Sequence, residues 1–177
     1  MSEELLDAPG LVKYFKDEFK TKIKKSVIKK RTAGAKKNEI INIWMEIDKS
    51  IFKDAIKHLC SYQFPHLAVV SGNDYPKSIE LTYHFSINYG KDRNEISLNI
   101  AVDLPKTKPE IETITDLIPG ALITEREKQE MLGVVIKNIP DGRRLFLPDD
   151  FPKGVYPWRK NEKGMEKLIR NLHEVKK

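Results

Sequence analysis

The sequence predicts an α+β fold: a mostly antiparallel sheet with helices on one side, then an extended proline-rich C-terminal arm and a short terminal helix. Two runs of alternating apolar residues, 79–89 and 96–102, predict paired strands. Two segments with apolar residues at helical spacing, 11–19 and 51–59, predict helices that pack on such a sheet. Prolines recur through 140–157, which excludes long helices and central strands from that segment.

The N-terminal part predicts a helix and two strands. Apolar residues at 11, 12, 15 and 19 form one face of the first amphipathic helix. Ile23 and Val27 alternate with lysines, which predicts a strand near a sheet edge. A turn is expected at 32–35, followed by a second strand over 39–47. Because both faces of that second strand carry apolar groups, we expect it to be well buried.

The middle of the chain predicts a helix, a short strand and a hairpin. Asp48 can cap the second helix. The inner stripe of this helix consists of Ile51, Phe52, Ala55, Ile56 and Leu59. Residues 67–72 predict a short strand that ends at a Gly-Asn-Asp turn. The two alternating runs follow, joined by a polar loop, and predict a β-hairpin.

Beyond the hairpin the pattern predicts two short helices and then the arm. Pro109 stands near a permitted first-turn position of the first of these helices. Its apolar side would consist of Ile111, Ile114, Leu117 and Ile118. Pro119-Gly120 interrupts the pattern, and the second short helix is expected over 122–131. A last amphipathic helix is expected over 165–175.

Length and composition favour one compact α+β domain over residues 1–133 and a docking arm with its helix over residues 134–177. The apolar runs are much shorter than the roughly 20 residues that cross a bilayer, and the acidic N-terminus lacks the features of a signal peptide. We therefore expect a soluble protein with no transmembrane segment of its own. The abundance of Lys and Glu, in a chain that is 33% charged, is typical of a thermophile surface.

Cysteine and histidine usage predicts a chain without a redox or catalytic centre. The single Cys60 excludes an internal disulfide and a four-cysteine iron–sulfur site. The four histidines match no zinc spacing, and no Ser-His-Asp arrangement is evident in the sequence. We therefore expect no cofactor and no metal in this chain.

The net charge of +6 owes much to the segment from Lys20 to Lys37, which contains no acidic residue. The simplest interpretation is a solvated strand and turn. A basic nucleic-acid-binding domain is the alternative, testable through the salt dependence of binding and changes at Lys24, Lys25, Lys29 and Lys30. The sequence has no RNP-type motif, and no aromatic residue interleaves with these lysines. We therefore expect no nucleic-acid partner.

Three motifs occur in order near the C-terminus. A Glu-Arg-Glu triplet, Glu125-Arg126-Glu127, is followed by Glu130 and Gly133. A Pro-Asp-x-Arg-Arg segment covers 140–144, and a Pro-Trp-Arg-Lys segment covers 157–160. Together with the strand and hairpin upstream, this set resembles the 30 kDa subunit of the NADH:quinone oxidoreductase (complex I) family. The version most similar is that of archaeal energy-converting membrane-bound hydrogenases and related sulfur reductases.

This resemblance implies a non-catalytic scaffold subunit in the hydrophilic arm of a ferredoxin-dependent, ion-pumping hydrogenase at the cytoplasmic face of the membrane. The implied partners are a large subunit with the nickel–iron centre, iron–sulfur subunits and antiporter-like membrane subunits. The iron–sulfur clusters would belong to those partners. A membrane-bound sulfane sulfur reductase and an NADH- or quinone-type respiratory dehydrogenase remain alternatives.

The candidate interface residues come from the same motifs. Consecutive helical residues point about 100° apart, so Glu125, Arg126 and Glu127 are not expected to form a catalytic site. Arg126 and one of the two glutamates are instead expected to form ion pairs that fix the helix against the arm. The arginines of the arm are expected to anchor a protein partner, and Asp149 and Asp150 to form a turn and pair with arginine. The complete set of expected interface residues is Glu125, Arg126, Glu127, Arg143, Arg144, Asp149, Asp150, Trp158, Arg159 and Lys160.

Overall fold

A computed structural model describes residues 5–35, 37–90 and 95–160. Within these ranges the chain forms three α-helices and seven strands. In chain order these are α1 (Ala8–Phe19), β1 (Ile23–Ala33), β2 (Asn38–Ile47), α2 (Phe52–Tyr62), β3 (His66–Asp74), β4 (Ser78–Ile87), β5 (Ile96–Pro105), β6 (Glu110–Glu112), α3 (Ala121–Leu132) and β7 (Val135–Lys137).

Five strands form the main sheet in the order β1-β2-β5-β4-β3. Three of its four strand pairs are antiparallel, and only β2 and β5 run parallel. The parallel pair arises because β2 connects through α2, β3 and β4 before the chain returns as β5. The predicted α+β class and mainly antiparallel sheet are confirmed, as are the hairpin and the edge position of β1.

One face of the sheet carries all three helices. The Tyr83 ring lies 4.7 Å from the Phe52 ring of α2, and its hydroxyl donates to Glu125 of α3 at 3.2 Å. Helix α1 packs against α2, where the Tyr14 and His58 rings stack 3.9 Å apart. Alternate residues of β4 and β5 point into this layer and are buried. Each fully buried aliphatic or aromatic side chain contributes about 1.5–3 kcal/mol.

A carboxylate caps the start of α1 and another caps the turn that precedes α2. The Asp7 carboxylate accepts the Gly10 N–H at 2.8 Å, and Pro9 occupies the first turn of α1, where its missing N–H costs nothing. The Asp48 carboxylate accepts the Ser50 N–H at 2.9 Å and caps a 3₁₀ turn that leads into α2. The hydrogen bond from Ser50 holds the pKa of Asp48 below its ordinary value.

The second face of the sheet is left open by the described residues, and this corrects the expectation that β2 is well buried on both sides. Ile43, Met45 and Ile47 lie against the helices with at most 1% exposure. Trp44 points the other way and is 40% exposed. The sequence pattern contained apolar groups on both faces of β2, but a helical layer covers only one of them.

The prediction of a helix after Pro109 is wrong. Residues Glu110–Glu112 instead form β6, which pairs in parallel with β7. The Val135 N–H donates to the Pro109 carbonyl at 2.7 Å, and the Thr113 N–H donates to the Lys137 carbonyl at 3.0 Å. These long-range bonds outweigh a weak helical pattern rich in β-branched residues, which favour extended backbone.

The helix expected over 122–131 is confirmed as α3. The helix expected over 165–175 lies outside the described residues, and the division of the chain at residue 133 stays a prediction. Of the described helices, none is long and apolar enough to cross a membrane.

Candidate functional site

The charged side chains of α3 point to different parts of the molecule. Glu125 faces the sheet, Arg126 and Glu130 face the segment that follows β7, and Glu127 pairs with Lys128. This divergence follows from the 100° rotation between consecutive helical residues. The charged residues of α3 therefore connect the helix to the sheet and to the segment after β7, and we call this set of contacts the junction. The side chains of Glu125, Arg126 and Glu127 do not converge on one point where they could contact a common substrate.

Glu125 is a fully buried carboxyl group on the inner side of α3. It accepts hydrogen bonds from the Thr113 hydroxyl at 2.5 Å, the Ile114 N–H at 3.1 Å and the Tyr83 hydroxyl at 3.2 Å. Burial raises the pKa of Glu125 above its ordinary value, although these three hydrogen bonds act in the opposite direction. The group joins the sheet, the loop after β6 and α3 at one point.

Arg126 fixes the start of the arm, which we define as residues 138–160. Its guanidinium donates to the carbonyls of Arg143 and Arg144, both at 2.9 Å, and forms an ion pair with Asp141 at 3.2 Å. Asp141 also accepts from the Arg143 side chain and N–H. The hydrogen bonds from Arg143 and the charge of Arg126 hold the pKa of Asp141 well below its usual range.

Glu130 holds the next part of the arm. Its carboxylate is 9% exposed and accepts three consecutive backbone N–H groups, from Leu145 at 3.2 Å, Phe146 at 2.9 Å and Leu147 at 2.6 Å. Hydrogen bonds to a charged acceptor are among the strongest in proteins. Glu130 thus takes up backbone groups that lie outside any helix or strand.

Arg144 braces a turn within the arm. Its guanidinium donates to the carbonyls of Pro148 at 2.6 Å and Phe151 at 2.9 Å. Asp149 and Asp150 occupy this turn and are exposed. The two aspartates therefore form a turn, as the sequence indicates. The expected ion pairs of Asp149 and Asp150 with arginine are not found among the described residues, because Arg144 binds this turn through backbone carbonyls.

The closing Pro-Trp-Arg-Lys motif returns to the end of α3. The Trp158 N–H donates to the Met131 carbonyl at 3.0 Å, and the Arg159 side chain donates to the Leu132 carbonyl at 2.8 Å. The Lys160 N–H donates to the Asp74 carboxylate at 3.0 Å. The first two bonds satisfy helix carbonyls that have no partner within α3.

Asp74 links the end of the arm to the main sheet. It is 6% exposed and forms an ion pair with Lys106 at 2.6 Å. Burial alone would raise the pKa of Asp74, but the hydrogen bonds from Lys106 and from the Lys160 N–H hold it below its ordinary value. This carboxylate is therefore charged and paired where arm and sheet meet.

Gly133 is required by the geometry of this junction. It ends α3 in the left-handed conformation, with φ of +65°. A Cβ atom at this position would lie 2.4 Å from the Tyr156 ring. The same ring stacks under the Arg159 guanidinium at 4.6 Å. Gly133 therefore permits both the helix end and the close return of the arm.

The outer surface of this junction combines apolar and cationic groups. Phe146 is 60% exposed and Trp158 44%, and the Arg143 side chain is 85% exposed. Trp158 lies over the buried Lys128 ammonium at 4.7 Å, which orients the indole ring. Aromatic residues and arginine held in this way are typical anchors of protein interfaces.

Sequence reasoning named most of the junction but assigned no role to Glu130, Lys128 or Asp74. Glu130 was visible as the acidic residue between the triplet and Gly133, yet its three N–H partners come from a segment with no secondary structure of its own. Asp74 lies 86 residues from Lys160, and no local signal connects the two. The role at a subunit interface that the sequence predicts for the residues of the three motifs remains a prediction.

Residues 45–167 match the family described as "Respiratory-chain NADH dehydrogenase, 30 Kd subunit". The chain is 34% identical over 131 residues to the membrane-bound hydrogenase subunit beta of Pyrococcus furiosus, covering 73% of this chain and 75% of that protein. It is 38% identical over 128 residues to one of the subunits of the F(420)H(2) dehydrogenase of Methanosarcina mazei, covering 68% of this chain and 78% of that protein.

A chain of the membrane-bound sulfane sulfur reductase, an archaeal respiratory membrane complex, has a similar fold. The TM-score is 0.69 at 19% sequence identity, and the alignment covers 89% of this chain and 86% of that chain. At this identity the similarity concerns the fold alone.

Proposed function

Because the chain belongs to the family of the 30 kDa subunit of respiratory-chain NADH dehydrogenase, we propose that it is a scaffold subunit of a membrane-bound, complex I-like hydrogenase. Its relatives are subunits of membrane-bound hydrogenase and dehydrogenase complexes. In this proposal the chain carries no catalytic centre and fixes the position of subunits that do.

The observation that carries the proposal is how the motif residues are used. Arg126 and Glu130 bind the backbone of the arm, and Arg159 binds the end of α3, so the arm is held in one shape on α3. Side chains devoted to shaping a surface suit a permanent assembly, because a preorganised surface loses less conformational entropy when it binds. A scaffold requires such a surface.

We place the docking surface on the outside of the arm, around Phe146, Trp158 and Arg143. The two exposed aromatic rings supply apolar area, and Arg143 extends from the backbone that Arg126 holds. A partner that buries these groups would gain most from a pocket for each ring and from an acceptor for the outer N–H groups of the Arg143 guanidinium, whose Nε and Nη2 already donate to Asp141. We propose that this partner is the large subunit with the nickel–iron centre.

The other subunits would be arranged around the large subunit. Iron–sulfur subunits would lie beside the large subunit, and antiporter-like subunits would anchor the assembly at the cytoplasmic face of the membrane. Ferredoxin would supply electrons to the complex, and protons would accept them. The strongest support for the hydrogenase branch is the 34% identity to a membrane-bound hydrogenase subunit over three quarters of that protein.

A second candidate function has comparable support. The 38% identity to a subunit of an F(420)H(2) dehydrogenase favours a respiratory dehydrogenase that takes electrons from F(420)H(2). The scaffold role and the docking surface are the same in both candidates. They differ only in the electron donor and acceptor, which other subunits bind.

Affinity purification of the tagged chain from gently solubilised native membranes tests the proposal. Mass spectrometry identifies the partners, and the purified complex is assayed for hydrogen evolution from reduced ferredoxin and for oxidation of F(420)H(2) and NADH. A nickel–iron large subunit with hydrogen evolution supports the first candidate. Dehydrogenase activity without hydrogen evolution supports the second, and recovery of the chain alone contradicts both.

A further inference from the structure

Of the described strands, β1 and β2 extend furthest at the end of their hairpin. Pairing between β2 and β5 begins at Ile41, so among the residues that the structure describes only β1 pairs with residues 38–40 of β2. Residues 29–33 of β1 pair with 38–42 and are exposed. We call residues 29–33 and 37–40 the basic ribbon. A two-stranded ribbon without a packed face is only marginally stable in water, so a partner would stabilise this one.

Most charges of the basic ribbon are positive. The ribbon contains four basic residues, Lys29, Lys30, Arg31 and Lys37, and one acidic residue, Glu39. Glu39 pairs with Lys30 at 3.3 Å. Lys29 and Arg31 lie two positions apart on the same face of β1, where their backbones are about 7 Å apart, so their charges repel each other. Lysines on an edge strand also discourage self-association. An acidic surface would relieve this repulsion.

Trp44 lies at the base of the ribbon on the open face of the sheet. Its ring meets the His84 ring edge to face, with centroids 6.1 Å apart, and the Lys29 ammonium lies 6.0 Å from the indole centroid. His84 is itself held by Ser71 at 2.7 Å and by Asn99 at 2.6 Å. Trp44 is therefore an oriented, 40% exposed aromatic group beside the cations.

The hydrogen bonds of His84 with Ser71 and Asn99 also favour one tautomer of the imidazole ring. Asn99 donates its amide N–H to the Ile43 carbonyl at 3.0 Å, so its oxygen accepts from His84 Nδ1. In the neutral imidazole with the proton on Nδ1, His84 Nε2 accepts from the Ser71 hydroxyl. No local sequence signal indicates this arrangement, because its members come from three strands. Its effect on the surface is to hold Trp44 in place.

The mixture of charges favours a protein over a nucleic acid as the occupant. A cleft of about 230 Å³ beside Trp44 is lined by Lys25 and Lys29 but also by Glu46 and Glu80. Carboxylates at these positions would repel a phosphate backbone, whereas a protein surface can present lysine to them and carboxylates to the ribbon. The region matched by the family begins at residue 45, so the ribbon lies outside it.

We propose that the basic ribbon and Trp44 form a second docking surface, for a carboxylate-rich face of a partner protein in the same complex. This inference rests on the proposed scaffold function. Lys29, Arg31 and Lys37 form ion pairs with that face, and Trp44 is its apolar anchor. The surface lies at the β1 edge of the sheet, whereas the end of the arm binds Asp74 of β3 at the opposite edge, so the two surfaces are separate.

Zero-length carbodiimide cross-linking of the purified complex tests this proposal, because it joins only amines and carboxylates that are in contact. We expect Lys29, Lys30 or Lys37 to be joined to Asp or Glu of another subunit. Lys13 on the exposed side of α1 is the control and should give no such link. Cross-links from the ribbon only to Glu39 of this chain, or to no other subunit, overturn the proposal.

A charge-reversed variant distinguishes this surface from the arm. The double change Lys29→Glu and Arg31→Glu should lower the affinity for the acidic partner at least about tenfold, while the large subunit is still recovered with the chain. The neutral pair Lys29→Gln and Arg31→Gln should have an intermediate effect. Loss of the large subunit instead, or unchanged composition of the complex with both variants, contradicts the proposal. So does binding of the wild-type chain to a DNA or RNA oligonucleotide that the reversal abolishes.

Discussion

At the scale of single residues, the junction shows buried and half-buried charges used to organise backbone. Glu130 and Arg126 bind segments of the arm that have no regular hydrogen bonds of their own. An unpaired buried backbone N–H or carbonyl costs about 1–3 kcal/mol, so each side chain offsets several such costs. The charged residues of α3 are therefore explained by the backbone groups of the arm to which they form hydrogen bonds.

Replacing Glu130 by alanine should release residues 145–147 of the arm. Three N–H groups lose a charged acceptor, and we expect the free energy of unfolding to fall by about 2 kcal/mol. Urea denaturation measures the loss, and hydrogen exchange at amides 145–147 should accelerate. The control is Asp17→Ala, an exposed acid on α1, with a change within about 0.5 kcal/mol. Unchanged exchange at these amides would show that Glu130 does not hold the arm.

The two glycines that flank α3 should respond differently to alanine. Gly133→Ala places a methyl group against Tyr156 and forces a left-handed φ on alanine, for a loss of at least about 1–2 kcal/mol. Gly120→Ala adds a methyl group to open space at an ordinary helical φ of −61°, so it should be neutral or slightly stabilising. Chemical denaturation of both variants checks the contrast, and equal losses would contradict it.

Glu125 should make stability depend on pH. Its pKa is raised on folding, so the folded state binds this proton more tightly than the unfolded state. The stability that it contributes is complete below the unfolded value near 4.5 and is lost as pH rises through the folded value. Glu125→Gln removes this loss, because the amide stays neutral.

Denaturation curves at a series of pH values test this effect of Glu125. The unfolding free energy of Glu125→Gln minus that of the wild type should increase as pH rises from below 4.5 through the folded pKa and then level off. A difference that is constant with pH, or that decreases, would show that Glu125 does not carry a raised pKa.

At the scale of secondary-structure elements, local patterns predicted what local interactions determine. Strands β4 and β5 were evident because their buried side chains alternate without interruption from Ile79 to Ile87 and from Ile96 to Val102. Helix α1 was evident because Leu11, Val12 and Phe15 recur at helical spacing. In each case one continuous buried face selects one conformation.

The errors occurred where distant contacts decide. Residues after Pro109 have a helical spacing of isoleucines, but β7 and Glu125 take up their backbone groups and keep them extended. On β2 the apolar pattern could not show that only one face of the sheet is covered. The candidate site also depends on distant contacts. Glu130 accepts from a backbone N–H 15 residues away, and Asp74 accepts from one 86 residues away.

At the scale of the whole molecule, the helices of one layer, the arm on α3 and the open sheet face present three different surfaces. The inner faces of the helices pack against the sheet and form the hydrophobic core. The arm exposes Phe146, Trp158 and Arg143, and the open face exposes Trp44 beside the basic ribbon. A subunit with two separate surfaces of different composition can hold two partners at a fixed distance, which is what a scaffold requires.

The most direct test of this account is the amount of large subunit that is recovered with a variant of the arm surface. Phe146→Ala combined with Arg143→Ala removes an exposed ring and an exposed cation without touching the carboxylate of Glu130. We expect the variant to keep the wild-type unfolding midpoint to within a few degrees but to recover at least about tenfold less large subunit from solubilised membranes. The matched control Lys13→Ala with Asp17→Ala, on the exposed side of α1, should recover the wild-type amount. Wild-type recovery by the arm variant would contradict the assignment of the arm as the docking surface.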